Sequence, residues 1–531
     1  MMIRLSPALI ALTVLAVIHA IDLNRSLDAN DGHLVYAMDD TYIHMSIAKH
    51  FAQSGIWGIT SDGFSSSSSS PLWTFLLSSI YFVFGINDLT PLALNIIFVA
   101  ALLLLSNDVL IRHDTPLPLR IIILLLMVLF VPLRNNLLLG LEHTLHALLV
   151  LAFLAAVSMV LSDKSPLKTQ KMGLLFALAL LVGLVRYEGL LAVVVVCGLF
   201  ALRGRWITGI LLGLVAGIPL LIYGLIALSH DWYLLPNSIL MKSENSSLPE
   251  NYHLLELIRY IFGTLGAIVR SPFIFSAIVP PLFIYSVRLL REKRAFLLSP
   301  AGLFMAGFLL LVTLHARLVS SPAAFFRYQS YLLVLGLLAW GIGLAPLFTP
   351  RHGRLLLISA FTLIPAAVSA GFIIRQQPIV TATTNIYHQH WHLAHFLDAH
   401  YGGERIAIHD IGAMNFYADI RSVDLLGLGS IEVARLHLAD TYDTQAIERL
   451  SSEQGVSIAV LNQGFLDDFG GMPSGWIVVE TWYVPNSVVL GDDTVAFIAL
   501  SEGDADELRL SLDEYSANLP AEVVRSPLFE E

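Results

Sequence analysis

The sequence predicts a polytopic α-helical membrane protein with a soluble α/β domain at its C-terminal end, on three observations. Apolar runs recur from Leu5 to Ile374, long enough to make lipid the solvent for most of the chain. Of the 531 residues, 56% are hydrophobic and only 13% charged, with a mean hydropathy of +0.72. A soluble chain would carry about twice that charged fraction. The charges are also segregated: from Gln376 to the end there are 24 acidic and 6 basic residues, a balance of −18. The remaining 17 acidic and 24 basic residues leave +7 for the first part. Two units follow, a membrane domain over 1–375 and a soluble domain over 376–531. So acidic a second unit argues against nucleic acid as a partner.

The elements follow in order. Leu5–Ile21 comes after Arg4 and has no small-x-small cleavage site, which predicts an uncleaved anchor. Residues 22–70 then form an outer loop, with the serine run 65–70 as a low-complexity stretch beside the membrane. Residues 71–86 are apolar but short, as expected of a helix lying in the interface rather than crossing it. Basic connections mark the cytoplasmic side: Arg112 and Arg120; Lys164, Lys168 and Lys171; Arg203 and Arg205; Arg288, Arg291, Lys293 and Arg294; Arg351 and Arg354. Threading between them gives about eleven spans, the last at 354–374, and delivers the soluble domain to the outer face. The single cysteine, Cys197, permits no internal disulfide.

Beyond Gln376 the period shortens. Arg405–Asp410 alternates and ends at Gly412, reading as a strand that turns into a helix. Val456–Leu461, Trp476–Val479 and Val495–Leu500 read as further strands, with helical stretches such as 430–439 between them.

The residues that carry chemistry gather on the outer side. Asp39 and Asp40 open a predicted amphipathic helix over 41–53, with Ile43, Ile47 and Phe51 on one face and Tyr42 and His44 nearby. Adjacent acids there suit the helix dipole, or supply a base for an acceptor hydroxyl. Arg186 and Glu188, in Arg-Tyr-Glu-Gly, sit between two apolar runs, where they pair with each other or Arg186 meets an anion. Gly140-Leu-Glu142-His143, Pro236-Asn237-Ser238 followed by Lys242, and Arg327-Tyr328 fall on the same side. His388, His392 and His395 have a spacing that could bind zinc on a helix, although an interfacial linker explains the run as well.

The ordered set Asp39-Asp40-Thr-Tyr-Ile, Ser70-Pro-Leu-Trp-Thr74, Gly140-Leu-Glu142 and Arg186-Tyr-Glu-Gly189 resembles bacterial glycosyltransferases of the GT-C superfamily. Within it the set is most similar to the arabinofuranosyltransferase-like branch. Leu235–Ser238 with Lys242, Arg327-Tyr328, and Asp410–Ala413 to Asp424-Leu425 fall where that branch has similar motifs. Two features depart from it: the serine run replaces a Gly-Tyr-Thr, and Tyr187 stands where proline is usual.

The resemblance implies a GT-C-like membrane domain in a bacterial inner membrane, a periplasmic C-terminal domain, a polyprenyl-phosphate sugar donor, and inverting transfer to a glycan or lipid acceptor. It implies Asp39 as base, with Asp40 orienting the acceptor, binding a divalent cation, or being the base itself. Arg186, Lys242 and Arg327 become the phosphate ligands. Tyr42, His44, Glu142, His143, Glu188, Asn237 and Tyr328 become their supports. Two other classes compete. A secondary transporter would show internal repeats and polar groups near the midplane, and neither is present in the sequence. A non-catalytic envelope-assembly protein explains the soluble domain but not the acids beside the membrane.

Overall fold

The computed structural model describes residues 2–163, 168–243, 272–319, 324–347, 378–462 and 464–527. Among them, six helices are long and apolar enough to cross a membrane: Leu5–Ala29, Leu89–Arg112, His143–Ser162, Trp206–Ser229, Pro300–Leu318 and Phe325–Leu344. A seventh crossing is formed if Leu117–Phe130 and Leu133–Leu139, bent by 42°, act as one. The expected count of about eleven is not reproduced among the described residues. Thr169–Val185 and Gly189–Leu202 are apolar but only 17 and 14 residues long, about 25 and 21 Å at 1.5 Å per residue, against a core of about 30 Å. The expected last span at 354–374 lies outside the described residues.

In chain order the first elements are α1 (Met2–Ala29), α2 (Asp39–Ser54), α3 (Pro71–Phe84) and α4 (Leu89–Arg112). Then come α5 (Leu117–Phe130), α6 (Leu133–Leu139), α7 (His143–Ser162) and α8 (Thr169–Val185). They are followed by α9 (Gly189–Leu202), α10 (Trp206–Ser229) and α11 (Asn237–Ser243). α7 lies at the centre, with Val150, Leu151, Phe153 and Val157 buried in one continuous apolar core. α10 is peripheral: Ile210, Leu214, Ile218, Leu221 and Leu225 are exposed along it, a stripe that suits contact with lipid. α3 starts at Pro71, has Ser70 as its N-cap, and at 14 residues is too short to span.

The soluble domain is a six-stranded mixed sheet in the order β2-β1-β3-β5-β4-β6. Its strands are β1 (Arg405–Ile408), β2 (Arg421–Asp424), β3 (Ile458–Asn462), β4 (Ile477–Tyr483), β5 (Thr494–Ala499) and β6 (Val524–Pro527). β1 pairs parallel with β2 and β3, and the other pairs are antiparallel. Four strands fall where alternation predicted them. β2 and β6 are four-residue edge strands with no alternating apolar signal in the sequence. Helices Ile379–Ile386 and His392–Tyr401 run on through a π turn at Tyr387–Trp391, an insertion that re-aims side chains and recurs at functional sites.

One expectation changes most. α2 forms where the sequence placed it, but it does not lie against lipid, because Thr41–Ala48 are all buried. Tyr42, Met45 and Ala48 join the core of the membrane domain, while Ile43 and Ile47 join the core of the soluble domain. The apolar face read as membrane-facing packs on protein instead. The serine run is corrected for the same reason: Ser65, Ser66, Ser67, Ser68 and Ser70 are buried. Ser67 Oγ donates to Leu428 O at 2.7 Å and Ser70 Oγ to Val185 O at 2.6 Å. Short hydroxyl side chains saturate backbone groups where chains from three regions meet.

Candidate active site

A narrow cleft with a free volume of about 30 Å³ opens between the membrane helices and the soluble domain. Its walls carry Asp40, His44, Glu142, His143, Arg186, Arg327 and Tyr328, with Ser67, Ser69, Ser238 and Leu428 at its edges. Residues more than 280 positions apart in sequence converge there, and each wall has a local cause.

The first wall is α2. Asp39 and Asp40 are adjacent on it, so their side chains leave the axis about 100° apart. Asp40 turns to the cleft, where Oδ2 accepts from Arg327 Nη2 at 2.7 Å, and its side chain is 36% exposed. Asp39 turns to the soluble domain. Oδ2 accepts the Gly412 N–H and Oδ1 the Ala413 N–H, both at 2.8 Å, so the carboxylate caps the helix Ala413–Tyr417. One turn on, His44 Nδ1 meets Thr74 Oγ1 at 2.8 Å, while His44 Nε2 lies 3.9 Å from Glu142 Oε2.

The second wall is the turn before α7. Gly140 has φ +66°, and a Cβ there would lie 2.6 Å from the Tyr36 ring and 2.7 Å from Thr41 Cγ2. Only glycine lets the chain pass so close to α2 and still deliver Glu142. Glu142, 1% exposed at its side chain, accepts from Arg186 Nη1. Arg186 also forks onto Glu188, with Nη2–Oε1 at 2.8 Å and Nε–Oε2 at 3.1 Å. Its guanidinium lies 4.7 Å from the Tyr328 ring centroid, and that of Arg327 lies 5.2 Å from the same ring. One tyrosine is thus flanked by two cations, an arrangement that orders both guanidinium groups.

Arg327 owes its direction to an unusual turn. Phe325 and Phe326 have φ +58° and +52°, a left-handed conformation that bulky residues rarely take. His143 is buried beside Tyr328, ring centroids 5.6 Å apart, and neither of its ring nitrogens makes a hydrogen bond.

Other expected site residues do different work. The Tyr42 hydroxyl accepts the Tyr36 N–H at 2.9 Å, and its ring packs on Tyr417 and Phe416. Asn237 is buried and ties α11 to the soluble domain, donating from Nδ2 to Gly427 O at 2.8 Å. The side chain of Lys242 lies outside the described residues. Asp39 and Asp40 meet different partners: one faces backbone N–H groups and the other an arginine. No group of three His, Cys, Asp or Glu among the described residues is arranged to hold a metal. The histidine run is likewise dispersed. His390 Nε2 meets Asp410 Oδ2 at 3.1 Å, His392 Nδ1 meets the Tyr515 hydroxyl at 3.2 Å, and His395 Nδ1 meets Trp391 O at 2.8 Å.

The soluble domain supplies the roof from the carboxyl ends of its parallel strands, the usual working edge of such a sheet. After β1 come His409, Asp410 and the Gly412–Ala413 turn. After β2, Asp424 accepts N–H bonds from Leu426, Gly427 and Gly429, which curls loop 425–430 against Ser67 and Asn237. Burial pushes the Asp424 pKa up to about 6, against those three donors. Lys49 and Leu428 were not read as site residues from the sequence, because each is an ordinary residue whose role depends on its partner across the interface.

A family model described as a domain of unknown function, DUF8728, matches residues 384–498. No curated protein matches the chain. Among solved structures, ArnT from Cupriavidus metallidurans bound to undecaprenyl phosphate is similar at 13% identity and TM-score 0.51, covering 93% of this chain and 98% of that one. The apo state of the same ArnT is similar at 14% identity and TM-score 0.50, over the same shares. At such identity the likeness establishes architecture alone: this chain is similar in fold to ArnT.

Proposed function

We propose that this protein is a membrane glycosyltransferase that moves a sugar from a polyprenyl-phosphate donor to a glycan or lipid acceptor of the cell envelope. The observation that carries the reading is the cleft itself. A partly exposed carboxylate, Asp40, pairs with Arg327, and the guanidinium groups of Arg327 and Arg186 both lie against the ring of Tyr328. The similar ArnT structure bound to undecaprenyl phosphate supports a donor of that class.

The chemistry divides between the two charges. Asp40 takes the proton of the acceptor hydroxyl, whose oxygen attacks the anomeric carbon of the donor. The bond from that carbon to the phosphate oxygen breaks, and the electron pair leaves with polyprenyl phosphate. Arg186 and Arg327 meet the growing phosphate charge, with Lys242 as a third cation from α11. Attack from the face opposite the phosphate inverts the sugar. Arg327 has a double role, since it holds Asp40 before the donor arrives and releases it when phosphate competes for the guanidinium. Glu142 and Glu188 hold Arg186 in place, and His44 and His143 line the same space. Asp40, not Asp39, is the base in this scheme, because both Asp39 oxygens are committed to the soluble domain. The cleft and the soluble domain face the periplasm of a bacterial inner membrane, in agreement with the basic connections on the other side, and the sugar transferred is a hexose or a pentose.

The test is release of undecaprenyl phosphate from a panel of undecaprenyl-phosphate pentoses and hexoses by purified protein, beside Arg186→Ala and Arg327→Ala. Saturable turnover weakened by either change supports the reading. A folded protein that neither binds nor turns over any member of the panel would refute it.

A further inference from the structure

The adjacent acids differ in what they touch, and the difference assigns a role to Asp39 that the transfer scheme leaves open. We propose that Asp39 is a positioning residue: by capping the Gly412–Ala413 turn of the soluble domain it fixes the rotation of α2 and so aims Asp40 into the cleft. The inference rests on the reading of Asp40 as base.

The geometry is that of a two-ended clamp. At one end both Asp39 oxygens accept backbone N–H groups at 2.8 Å. At the other, Lys49 Nζ donates to Phe416 O at 2.8 Å and reaches Asn415 O at 3.4 Å. An anion thus meets the N-terminal donors of the helix Ala413–Tyr417, and a cation meets its C-terminal acceptors. Gly412 is fitted to this contact, for a Cβ there would lie 2.3 Å from the backbone oxygen of Asp39 and 2.5 Å from its Oδ1. Between the two ends, Ile43 and Ile47 are buried in the core of the soluble domain. Asp39, Ile43 and Ile47 are spaced by four and form one stripe on α2. Asp40 and His44 form the adjacent stripe, which lines the cleft. Holding the first stripe on the soluble domain therefore sets the direction of the second.

A charged cluster stands behind the clamp. His390, brought round by the π turn, lies 3.1 Å from Asp410 Oδ2, and His409 Nε2 lies 3.0 Å from the same oxygen. His390 and Asp410 are the titratable groups that act on Asp39 from the soluble domain. His409 acts on Asp410 from the other side, and on α2 itself Asp40 is paired with Arg327. Burial pushes the Asp39 carboxyl above the ordinary range, His390 draws it down and Asp410 adds to the rise. His390, when protonated, favours the ionised Asp39 that can accept both N–H bonds.

The test uses the full chain in detergent, with two readouts. One is amide hydrogen exchange of peptides covering 411–418. The other is release of undecaprenyl phosphate from the donor panel. Asp39→Ala should speed exchange of the Gly412 and Ala413 amides by about tenfold, the loss expected when charge-assisted bonds are removed. It should lower kcat by about 10- to 100-fold and leave the donor KM within about threefold. Asp39→Asn, which keeps one acceptor, should fall between. His390→Gln should move the acid limb of the kcat profile to higher pH, a change that a purely structural contact would not produce.

Two results would overturn the proposal: kcat lost in Asp39→Ala with exchange of 411–418 unchanged, which makes Asp39 act on substrate, or exchange raised with kcat unchanged. Gly412→Ala opens the same contact from the other side, with every charged residue kept, and should reproduce the exchange change. Failure of the underlying reading looks different: Asp40→Ala would retain transfer, whatever exchange does.

Discussion

The two faces of α2 make opposite use of the same kind of residue. On the side of the soluble domain, Asp39 is half-buried and commits both oxygens to N–H groups, Oδ2 to Gly412 and Oδ1 to Ala413. On the cleft side, Asp40 is over a third exposed and shares one arginine. Saturated hydrogen bonding makes a carboxylate a structural anchor, because moving it leaves buried donors unpaired. A partly exposed carboxylate paired with an arginine can trade that pairing for substrate. The pair teaches that proximity in sequence does not imply a shared role.

The sharpest way to break this contrast is Asp40→Asn. Transfer should fall about 10²- to 10⁴-fold, with exchange of 411–418 unaltered, as measured by undecaprenyl phosphate release and amide exchange. A loss of the same size in Asp39→Asn, with the same quiet exchange, would erase the distinction. Next comes Arg186→Ala, which leaves Glu142 and Glu188, 1% and 20% exposed at their side chains, without their cation. Unfolding of the detergent-solubilised protein should cost about 3–5 kcal/mol less, read as a drop in the thermal midpoint.

Gly412→Ala forces a methyl group into backbone, so about 1–3 kcal/mol should be lost through overpacking at the domain junction, measured by denaturant unfolding of the soluble-domain signal. Lys49→Ala is the mildest change. It removes the grip on Asn415 and Phe416 and should cost about 0.3–1 kcal/mol, visible chiefly as faster exchange at the end of that helix. The pH profile sharpens the same comparison. Ionised Asp39 is the form that accepts both N–H groups, and burial raises its pKa. Transfer should accordingly begin to fall on the acid side above the ordinary carboxylate range as pH drops through that raised value.

Much of the architecture was legible because its causes are local or compositional. The spans at Leu89–Arg112, His143–Ser162 and Trp206–Ser229 are runs of apolar residues in which nothing else could be solvated by lipid. β1, β3, β4 and β5 carry their alternation or buried run in the residues themselves. β2 and β6 do not: they are short edges whose pairing partners lie elsewhere in the chain. The cleft was partly legible in the same sense. Asp40, Glu142, Arg186, Arg327 and Tyr328 stood out as polar groups at the ends of apolar runs, and the structure brings them together. Tyr42 and Asn237 stood out equally, and the structure packs Tyr42 on Tyr417 and Phe416 and bonds Asn237 to Gly427 O. Serines 65–68 and Ser70, read as part of a low-complexity loop beside the membrane, are buried at the junction.

By itself, the sequence determined the two-part character of the protein, because apolar run length and charge segregation reflect the solvent each part meets. It also determined that α2 would be an amphipathic helix with acids at its start, since period and dipole are properties of one helix. Which surface covers that helix was a matter for tertiary structure alone. An apolar stripe of Ile43 and Ile47 is equally well buried by lipid or by a β-sheet domain, and the hydrophobic effect does not distinguish them. The same holds for the two acids. Their spacing fixes an angle of about 100° between them, but only the fold decides that Asp39 meets the Gly412 turn and Asp40 meets Arg327.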